Sequence, residues 1–423
     1  MSGDTGFQRE IVERNLSCGT RLMVTRNPGL PLFTVSAFFD AGHMVEADGE
    51  DGLLALASRL MLSGGAGQRT GEQIFDLLES SGVRYSSSGG GIKFEAVTEK
   101  LDLVLDVLVD TLTQPRFDEA RFEIERGRLV TDLQAAEGNL RVVARQKFGE
   151  LIYGDCHPLG RPTRGTAASV AAFTRDQVAE KHSRHAGPAS LIIAIAGDVD
   201  PDQVTADLET RLSGWNHPTE PRPELPTPVL ADTPQDVLLE RKKEKLHLFI
   251  GHLGIRRNCP DLHALLLFDN ILGSGAGFTS RLARRVRDEM GLAYTVGASI
   301  TASAGREPGV FSAYVGTFPD KRQAATSAVR DEIACLLDEG GTAKELEAAR
   351  RYLRGSFLFD TETNAQLADL SLLIALHDLG IDYPTRHLEA LDAVTLEQVN
   401  AAGRRHIHPN HLHTVAAGKG EVG

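Results

Sequence analysis

The spacing between hydrophobic residues alternates between that of a strand and that of a helix along the first half of the chain. Apolar residues alternate through 32–39, which predicts a strand, because successive side chains of a strand point to opposite faces. The spacing then lengthens to that of a helix over 52–62. The order continues with a strand pair near 83–85 and 92–96, then helices over about 99–112 and 118–136.

The second half repeats this order of elements. A strand at 247–252 precedes a helix at 263–272, strands at 293–301 and 310–315, and helices over about 321–337 and 343–357. Both halves also close with a similar hexapeptide that leads to an apolar strand. These segments are Phe-Thr-Arg-Asp-Gln-Val at 173–178 before the strand 191–196, and Val-Thr-Leu-Glu-Gln-Val at 394–399 before the strand 412–416.

A proline-rich stretch separates the two halves. Residues 216–236 contain six prolines and no apolar periodicity, which is typical of an extended linker. We therefore predict an N-terminal domain at 1–215 and a C-terminal domain at 237–423. The fold class is α+β, with two homologous domains, each a mixed, mostly antiparallel sheet layered with helices. Chance likeness of two unrelated α+β domains is the alternative, and the shared order favours duplication.

Charge and composition exclude several classes of function. The net charge of −13 disfavours binding to phosphate backbones, so we expect no nucleic-acid partner. No apolar run approaches the roughly 20 residues that span a bilayer. The four cysteines are scattered without a Cys-x-x-Cys pair, which disfavours a disulfide framework or a thiolate metal site. A cytoplasmic location is the expectation, or a periplasmic one if an export signal has been removed.

Several motifs occur in an order that resembles the insulinase, pitrilysin and mitochondrial-processing-peptidase family. They are Cys-His-Pro-Leu-Gly-Arg-Pro at 156–162, Ala-Gly-Asp-Val at 196–199, and the segments 278–282 and 286–294. The resemblance covers nearly the whole chain. It implies that the two domains face one another as a half-clamshell.

Active members of that family carry an inverted zinc motif, His-x-x-Glu-His, on the first helix. Aligned on Gly52 and Leu53, the two histidine positions fall on Ala55 and Arg59, and the glutamate position falls on Ser58. With Glu125 as anchor, the third ligand position falls on Asp132. Alanine and arginine cannot bind zinc, so we expect no metal or other cofactor in this chain. A salt bridge between Arg59 and Asp132 is one expectation for the site.

The second half offers a different pair. In this family an arginine and a tyrosine seven residues apart approach the catalytic centre, and here that spacing is met by Arg287 and Tyr294. Their side chains are suitable donors to a scissile carbonyl and its developing oxyanion. The alternative is a solvated basic helix face with Arg281, Arg284, Arg285 and Arg287, beside a tyrosine packed in a sheet.

A glycine-rich segment and a histidine-rich segment each have two interpretations. The glycines of 273–277 favour a helix end with close backbone approach over a dinucleotide-binding loop, because a helix precedes them. The family resemblance adds a substrate-binding role for Gly273, Gly275, Gly277 and Phe278. The histidines of 406–413 indicate a connector before the last strand, with adventitious metal binding as the alternative.

The resemblance thus implies a metal-free subunit of a heterodimeric zinc metallopeptidase, inactive alone. A homologous partner chain would carry His-x-x-Glu-His and the zinc, while Arg287 and Tyr294 act in trans on unfolded peptides. The alternative is a scaffolding member of the same family that has lost catalysis. A third reading, an independent enzyme that uses the C-terminal histidines, is the least favoured.

Overall fold

A computed structural model describes residues 6–275 and 280–419 of the chain. Its strands are β1 (Ile11–Asn15), β2 (Arg21–Arg26), β3 (Leu32–Phe39), β4 (Arg84–Ser88), β5 (Gly91–Val97), β6 (Leu191–Gly197), β7 (Asp236–Glu240), β8 (Leu246–Leu253), β9 (Thr295–Ser299), β10 (Val310–Thr317) and β11 (His413–Gly418).

The α-helices are α1 (Leu53–Ser63), α2 (Gly71–Ser80), α3 (Leu101–Thr113), α4 (Glu119–Glu137), α5 (Leu140–Tyr153), α6 (Ala167–Ala172), α7 (Arg175–His185), α8 (Pro201–Arg211), α9 (Leu262–Asp269), α10 (Arg322–Glu339), α11 (Ala343–Phe359), α12 (Asn364–Leu376), α13 (Tyr383–Ala393) and α14 (Leu396–His406). Two π-helical segments, Asn270–Ser274 and Ala283–Glu289, lie in the second half.

The two sheets share one topology over five strands, and the first sheet has β1 as an additional edge strand. Their strand orders are β1-β2-β6-β3-β5-β4 and β7-β11-β8-β10-β9. In the first, β6 pairs parallel with β2 and antiparallel with β3, and in the second β11 pairs in the same two ways with β7 and β8. The other pairings are antiparallel. The predicted fold class is confirmed, and the matched strand orders support the duplication.

The compact units are not contiguous in sequence. The first contains residues up to Gln134 together with Pro162–Glu224 and Leu358–Pro384. The second contains Ala135–Arg161, Leu225–Phe357 and the chain from Thr385 onward. This division differs from the predicted segments 1–215 and 237–423, because each unit takes one helical segment from the other half of the sequence.

Helix α5 covers one face of the second sheet although it belongs to the first half of the sequence. Its apolar residues recur every fourth position, at Leu140, Ala144, Phe148 and Ile152, and all four are buried. They pack against Phe249, Val415 and Ala417 of the sheet. Burial of a side chain the size of Phe148 stabilises the fold by about 1.5–3 kcal/mol. The second sheet therefore depends on a helix encoded before it.

Helix α12 has the reciprocal position on the first sheet, where it packs on β2, β3 and β6. The Ser371 hydroxyl lies 2.9 Å from the Thr25 hydroxyl in a buried hydrogen bond. At the edge, Lys93 Nζ donates to Asp369 at 2.6 Å. Burial alone does not discriminate between two apolar sheets, so polar contacts of this kind specify the position of the helix.

The closing hexapeptides of the two halves are helix starts. Thr174 and Gln177 form a capping box at α7, and Thr395 and Gln398 form one at α14. Each threonine side chain accepts from the backbone of the third helical residue, which satisfies an otherwise unpaired donor. The repeat is thus preserved at the level of individual hydrogen bonds. Among the described residues, no helix is both long enough and apolar enough to cross a membrane.

Acid should destabilise the chain through buried imidazoles. In the first unit, burial lowers the pKa of His182 to about 4, because its ring lies against Phe39 and Phe117. The unfolded imidazole titrates near 6.5, so below that pH the unfolded state binds more protons and stability falls as the pH approaches 4. Burial lowers the pKa of His252 and of His387 to about 4 as well.

The measurement is the free energy of unfolding by urea at pH 7.5 and pH 4.5, for the wild type and for His182→Phe. At about 1.4 kcal/mol per pKa unit, the variant should lose up to about 3 kcal/mol less than the wild type on acidification. Equal losses in the two proteins would show that His182 is not a buried neutral group.

Candidate functional site

The positions of the inverted zinc motif lie on α1 and α4 of the first unit. Ala55 and Arg59 are one turn apart on α1, and Arg59 Nη2 lies 2.5 Å from Asp132 Oδ2 of α4. The expected salt bridge is present. Both side chains are partly exposed, so the pair contributes about 0–1 kcal/mol to stability. Its importance is chemical, because it places a cation beside Asp132, the one carboxylate among the four aligned motif positions.

These residues do not fit a zinc ion. Ala55 has no donor atom, and the guanidinium of Arg59 stays protonated and repels a dication. Ser58 occupies the position of the catalytic glutamate and has a structural role. Its hydroxyl donates to Leu54 O at 3.0 Å and accepts from Gly90 N at 2.7 Å. Ser87 donates to the Ser58 carbonyl at 2.5 Å. The serine therefore joins α1 to the β4–β5 turn.

A cleft of about 600 Å³ lies over this part of α1. Basic side chains of Arg59, Arg121 and Arg164 contribute to its lining, together with the turn residues Gly89 and Gly90. The buried carboxylate of Glu125 is paired with Arg121 at 3.0 Å and with Arg128 at 2.8 Å. This carboxylate is therefore engaged in ion pairs with two guanidinium groups of its own helix.

The predicted pair of the second unit lies on one connecting segment. Arg287 is in the last turn of the π-helical segment Ala283–Glu289, and Tyr294 directly precedes β9. Arg287 Nε donates to Asp288 at 2.7 Å, a hydrogen bond that lowers the pKa of the Asp288 carboxyl. The Tyr294 ring is 43% exposed, and its backbone N donates to Gly316 O at 3.0 Å. Both side chains are accessible from the surface of the unit.

Gly316 fixes the position of the Tyr294 ring. A Cβ atom at Gly316 would lie 2.5 Å from Tyr294 Cζ, which is closer than any real contact. The ring thus lies on the bare backbone of β10, with the Phe318 ring 6.3 Å away, edge-on. We did not predict this contact from the sequence. A glycine inside the strand Val-Phe-Ser-Ala-Tyr-Val-Gly-Thr is the signal that could have shown it.

Tyr314 and Arg141 affect the titration of Tyr294. Burial raises the pKa of Tyr294, while Tyr314 and Arg141 act in the opposite direction. Tyr314 in turn lies 2.7 Å from His247 Nδ1. The Tyr314 hydroxyl is therefore held by His247 beside the partly exposed Tyr294 ring.

Arg284 and Arg285 are exposed, as the solvated-face alternative expects, whereas that alternative is wrong for Arg281. This side chain is buried and donates from Nε and Nη2 to Glu345 at 2.7 and 2.9 Å. The pKa of Glu345 falls to about 2, because the arginine and Thr342 bonds outweigh burial. Arg285 lies 3.5 Å from the buried Glu332, and Arg284 lies 3.8 Å from Glu289.

The glycine-rich segment is described only in part. Gly273 ends the helical region by close approach, since a Cβ atom there would lie 2.2 Å from Ala298 N. Gly275 follows in an extended conformation. Gly277 and Phe278 lie outside the described residues. The substrate-binding role of this segment stays a prediction.

The C-terminal histidines are used by the fold. His252 Nε2 accepts from His408 N at 3.0 Å, His413 Nδ1 accepts from Gln235 N at 3.2 Å, and His411 Nδ1 lies 2.8 Å from Ala231 O. These bonds favour the connector interpretation.

Two mixed clusters of metal-ligand types are also present. His406 groups with Cys259 and Asp261, but Arg405 is 2.5 Å from the same Asp261 oxygen, where it opposes a cation. His43 groups with Glu46 and Asp51, but Glu46 already accepts from two backbone N–H groups at the start of α1.

Comparisons with known protein families match two parts of the chain. Residues 21–167 match the family described as insulinase, peptidase family M16, and residues 172–353 match the peptidase M16 inactive domain. Among curated proteins, the uncharacterized zinc protease YmxG of Bacillus subtilis is 24% identical over 398 residues, covering 92% of this chain and 93% of that protein. An uncharacterized zinc protease of Mycobacterium leprae is 29% identical over 308 residues, 71% of this chain and 67% of that protein.

Solved structures share the fold over nearly the whole chain. A peptidase M16 inactive domain from Pseudomonas fluorescens superposes with a TM-score of 0.89 at 22% identity, covering 98% of this chain and 99% of that one. A protease from Helicobacter pylori gives a TM-score of 0.89 at 15% identity, over 97% of this chain and 100% of that one.

Restoring the ligands should create a zinc site on α1. The variant Ala55→His, Arg59→His, Asp132→Glu should bind one equivalent of zinc more than the wild type, because histidines at i and i+4 share a helix face. The measurement is bound zinc after gel filtration. The matched control Ala55→His, Arg59→Gln, Asp132→Glu, which lacks one imidazole, should gain none. An equal gain in both variants would place the metal elsewhere.

Gly316→Ala should displace the Tyr294 ring and destabilise the chain by about 1–3 kcal/mol, the usual cost of overpacking. Tyr294→Ala removes the ring, so the cost of Gly316→Ala in that background should be smaller. The measurement is a double-mutant cycle of unfolding free energies. Additive costs would show that the ring does not lie on Gly316.

Proposed function

Because the chain belongs to the insulinase family, peptidase family M16, we propose that it is the metal-free subunit of a two-chain zinc metallopeptidase. A homologous partner with an intact His-x-x-Glu-His motif holds the zinc and the general base. This chain supplies Arg287 and Tyr294 to the partner's active site, and the complex hydrolyses peptides. The zinc-protease names of the relatives fit this reaction, with the metal located in the other subunit.

One contrast carries the proposal. The metal position is replaced by the Arg59–Asp132 ion pair, whereas Tyr294 is held over Gly316 with its ring partly exposed. Uniform loss of function would remove selection on both sites alike. A chain that acts in trans needs the second site and has no use for the first.

The chemistry of the pair suits amide hydrolysis. The transition state concentrates negative charge on the carbonyl oxygen, and the Tyr294 hydroxyl and the Arg287 guanidinium are donors to such an oxygen. When bound in the partner, zinc supplies Lewis acidity and an activated water. In this chain, Gly316 leaves room for the Tyr294 ring on β10, and Asp288 orients the arginine.

Peptide binding through the backbone is part of the proposal. Strand β4 ends the first sheet, and the adjoining residues Ser87, Gly89 and Gly90 line the cleft over α1. An unfolded peptide added to such an edge gains main-chain hydrogen bonds whatever its sequence. The four free cysteines fit a reducing compartment, so we place the complex in the cytoplasm.

The experiment is reconstitution from purified subunits. Neither chain alone should cleave a fluorogenic peptide, and the mixture should cleave it. Tyr294→Phe and Arg287→Ala should each lower kcat by about 100-fold or more, with a small change in KM, the usual effect of losing an oxyanion donor. The readout is initial rates over a range of peptide concentrations.

Arg284→Ala is the matched control, because Arg284 lies on the same segment as Arg287 but is paired with Glu289. It should leave kcat unchanged. Full activity of the partner alone would contradict the proposal. A complex that assembles but is equally active with Tyr294→Phe would favour the scaffolding alternative.

A further inference from the structure

A second cleft, of about 740 Å³, lies in the second unit beside the start of α5. One wall is the turn Gly138–Leu140, and the other is the loop Lys242–Lys245 with His247. Lys243 Nζ donates to the Gly138 carbonyl and joins the two walls. We call this cleft the basic groove.

The basic groove carries unpaired positive charge. The loop reads Arg-Lys-Lys-Glu-Lys over 241–245, and all five residues are exposed. Arg141, at the start of α5, is exposed as well. Over residues 6–275 and 280–419, Arg141, Lys242 and Lys245 form no ion pair. The whole chain has a net charge of −13, whereas the basic groove is positively charged. The groove therefore attracts carboxylates.

The basic groove adjoins the Tyr294 ring. Lys245 Nζ lies 5.4 Å from the centre of that ring, and the Arg141 guanidinium lies 4.4 Å from the centre of the Tyr314 ring. His247 lines the groove and also contacts Tyr314 through Nδ1. Burial, Arg141 and Lys245 lower the pKa of His247, so the charge of the groove near neutral pH comes from lysine and arginine.

We propose that the basic groove is a specificity subsite for an acidic residue of the peptide substrate. The inference rests on the proposed function, in which Tyr294 contacts the scissile carbonyl. An extended peptide advances about 3.3 Å per residue, so the 5.4 Å between Lys245 and Tyr294 corresponds to one or two residues. The groove then holds an aspartate or glutamate within two residues of the cleaved bond.

A peptide carboxylate suits this groove better than a nucleic acid or an acidic protein surface. The lysines lie in a cleft beside Tyr294, the proposed contact to the substrate. The net negative charge of the whole chain repels a polyanion. The N-terminus of α5 adds partial positive charge at the same end of the groove.

The test compares peptides in pairs. With the reconstituted two-chain complex, peptides that differ only by Asp or Asn are compared at each of the two positions on either side of the scissile bond. At one position the aspartate peptide should have at least a tenfold higher kcat/KM. This preference should shrink as salt is raised from about 0.05 to about 0.5 M, because screening weakens exposed charge pairs.

The double variant Lys242→Glu, Lys245→Glu should abolish the preference and favour a lysine peptide. Lys344→Glu, an exposed site on α11, is the charge control and should keep the preference. Equal cleavage of both peptides by an active wild-type complex would overturn the subsite, while the proposed function would stand. Weaker assembly of the double variant, with the preference for aspartate unchanged at saturating partner, would overturn it in favour of a contact with the partner.

A second measurement separates the two proposals. Fluorescence anisotropy of the labelled aspartate and asparagine peptides is recorded on this chain alone. Tighter binding of the aspartate peptide, lost in the double variant, supports the subsite even if no partner restores cleavage. Equal binding of the two peptides, together with equal cleavage, contradicts it.

Discussion

Each unit depends on one long-range pairing, the insertion of its last strand between two strands from the start of its sheet. Strand β6 lies between β2 and β3, and β11 lies between β7 and β8. All seven residues of β6 and all six of β11 are buried, and both are interior strands of their sheets. Neither sheet can close before its half of the repeat is complete. The helices, the cleft over α1 and the tyrosine beside β10 are all positioned by this pairing.

Much of this architecture is readable from the sequence because it rests on local patterns. Strand β3 occupies 32–39 as predicted, because its apolar residues alternate with the period of a strand, although the structure buries it on both faces. The closing hexapeptides mark capping boxes, which depend on residues only three apart. The positions of Ala55, Ser58, Arg59 and Asp132 follow from helical spacing once the family motif is aligned.

Other features could not be predicted, because they depend on which surface a segment meets. The row of apolar residues on α5 indicates that one face of this helix is buried. It does not indicate which of the two sheets the helix packs against, because both have an apolar face. For the same reason the contiguous domains 1–215 and 237–423 do not describe the compact units. The hydrogen bond between Ser58 and Gly90 joins residues that are far apart in sequence, and so does the contact of Tyr294 with Gly316. Neither contact is marked by a periodic pattern of hydrophobic residues.

The exchange of α5 and α12 has a consequence for synthesis on the ribosome. Helix α12 can cover the first sheet only after residue 376 has emerged from the ribosome. One face of that sheet therefore stays uncovered during most of translation. Cleavage within the proline-rich linker yields two fragments, each holding the helix that the other one needs. Such fragments are suited to complement each other and unsuited to fold apart. Each half of the sequence therefore supplies a helix that the sheet of the other half needs.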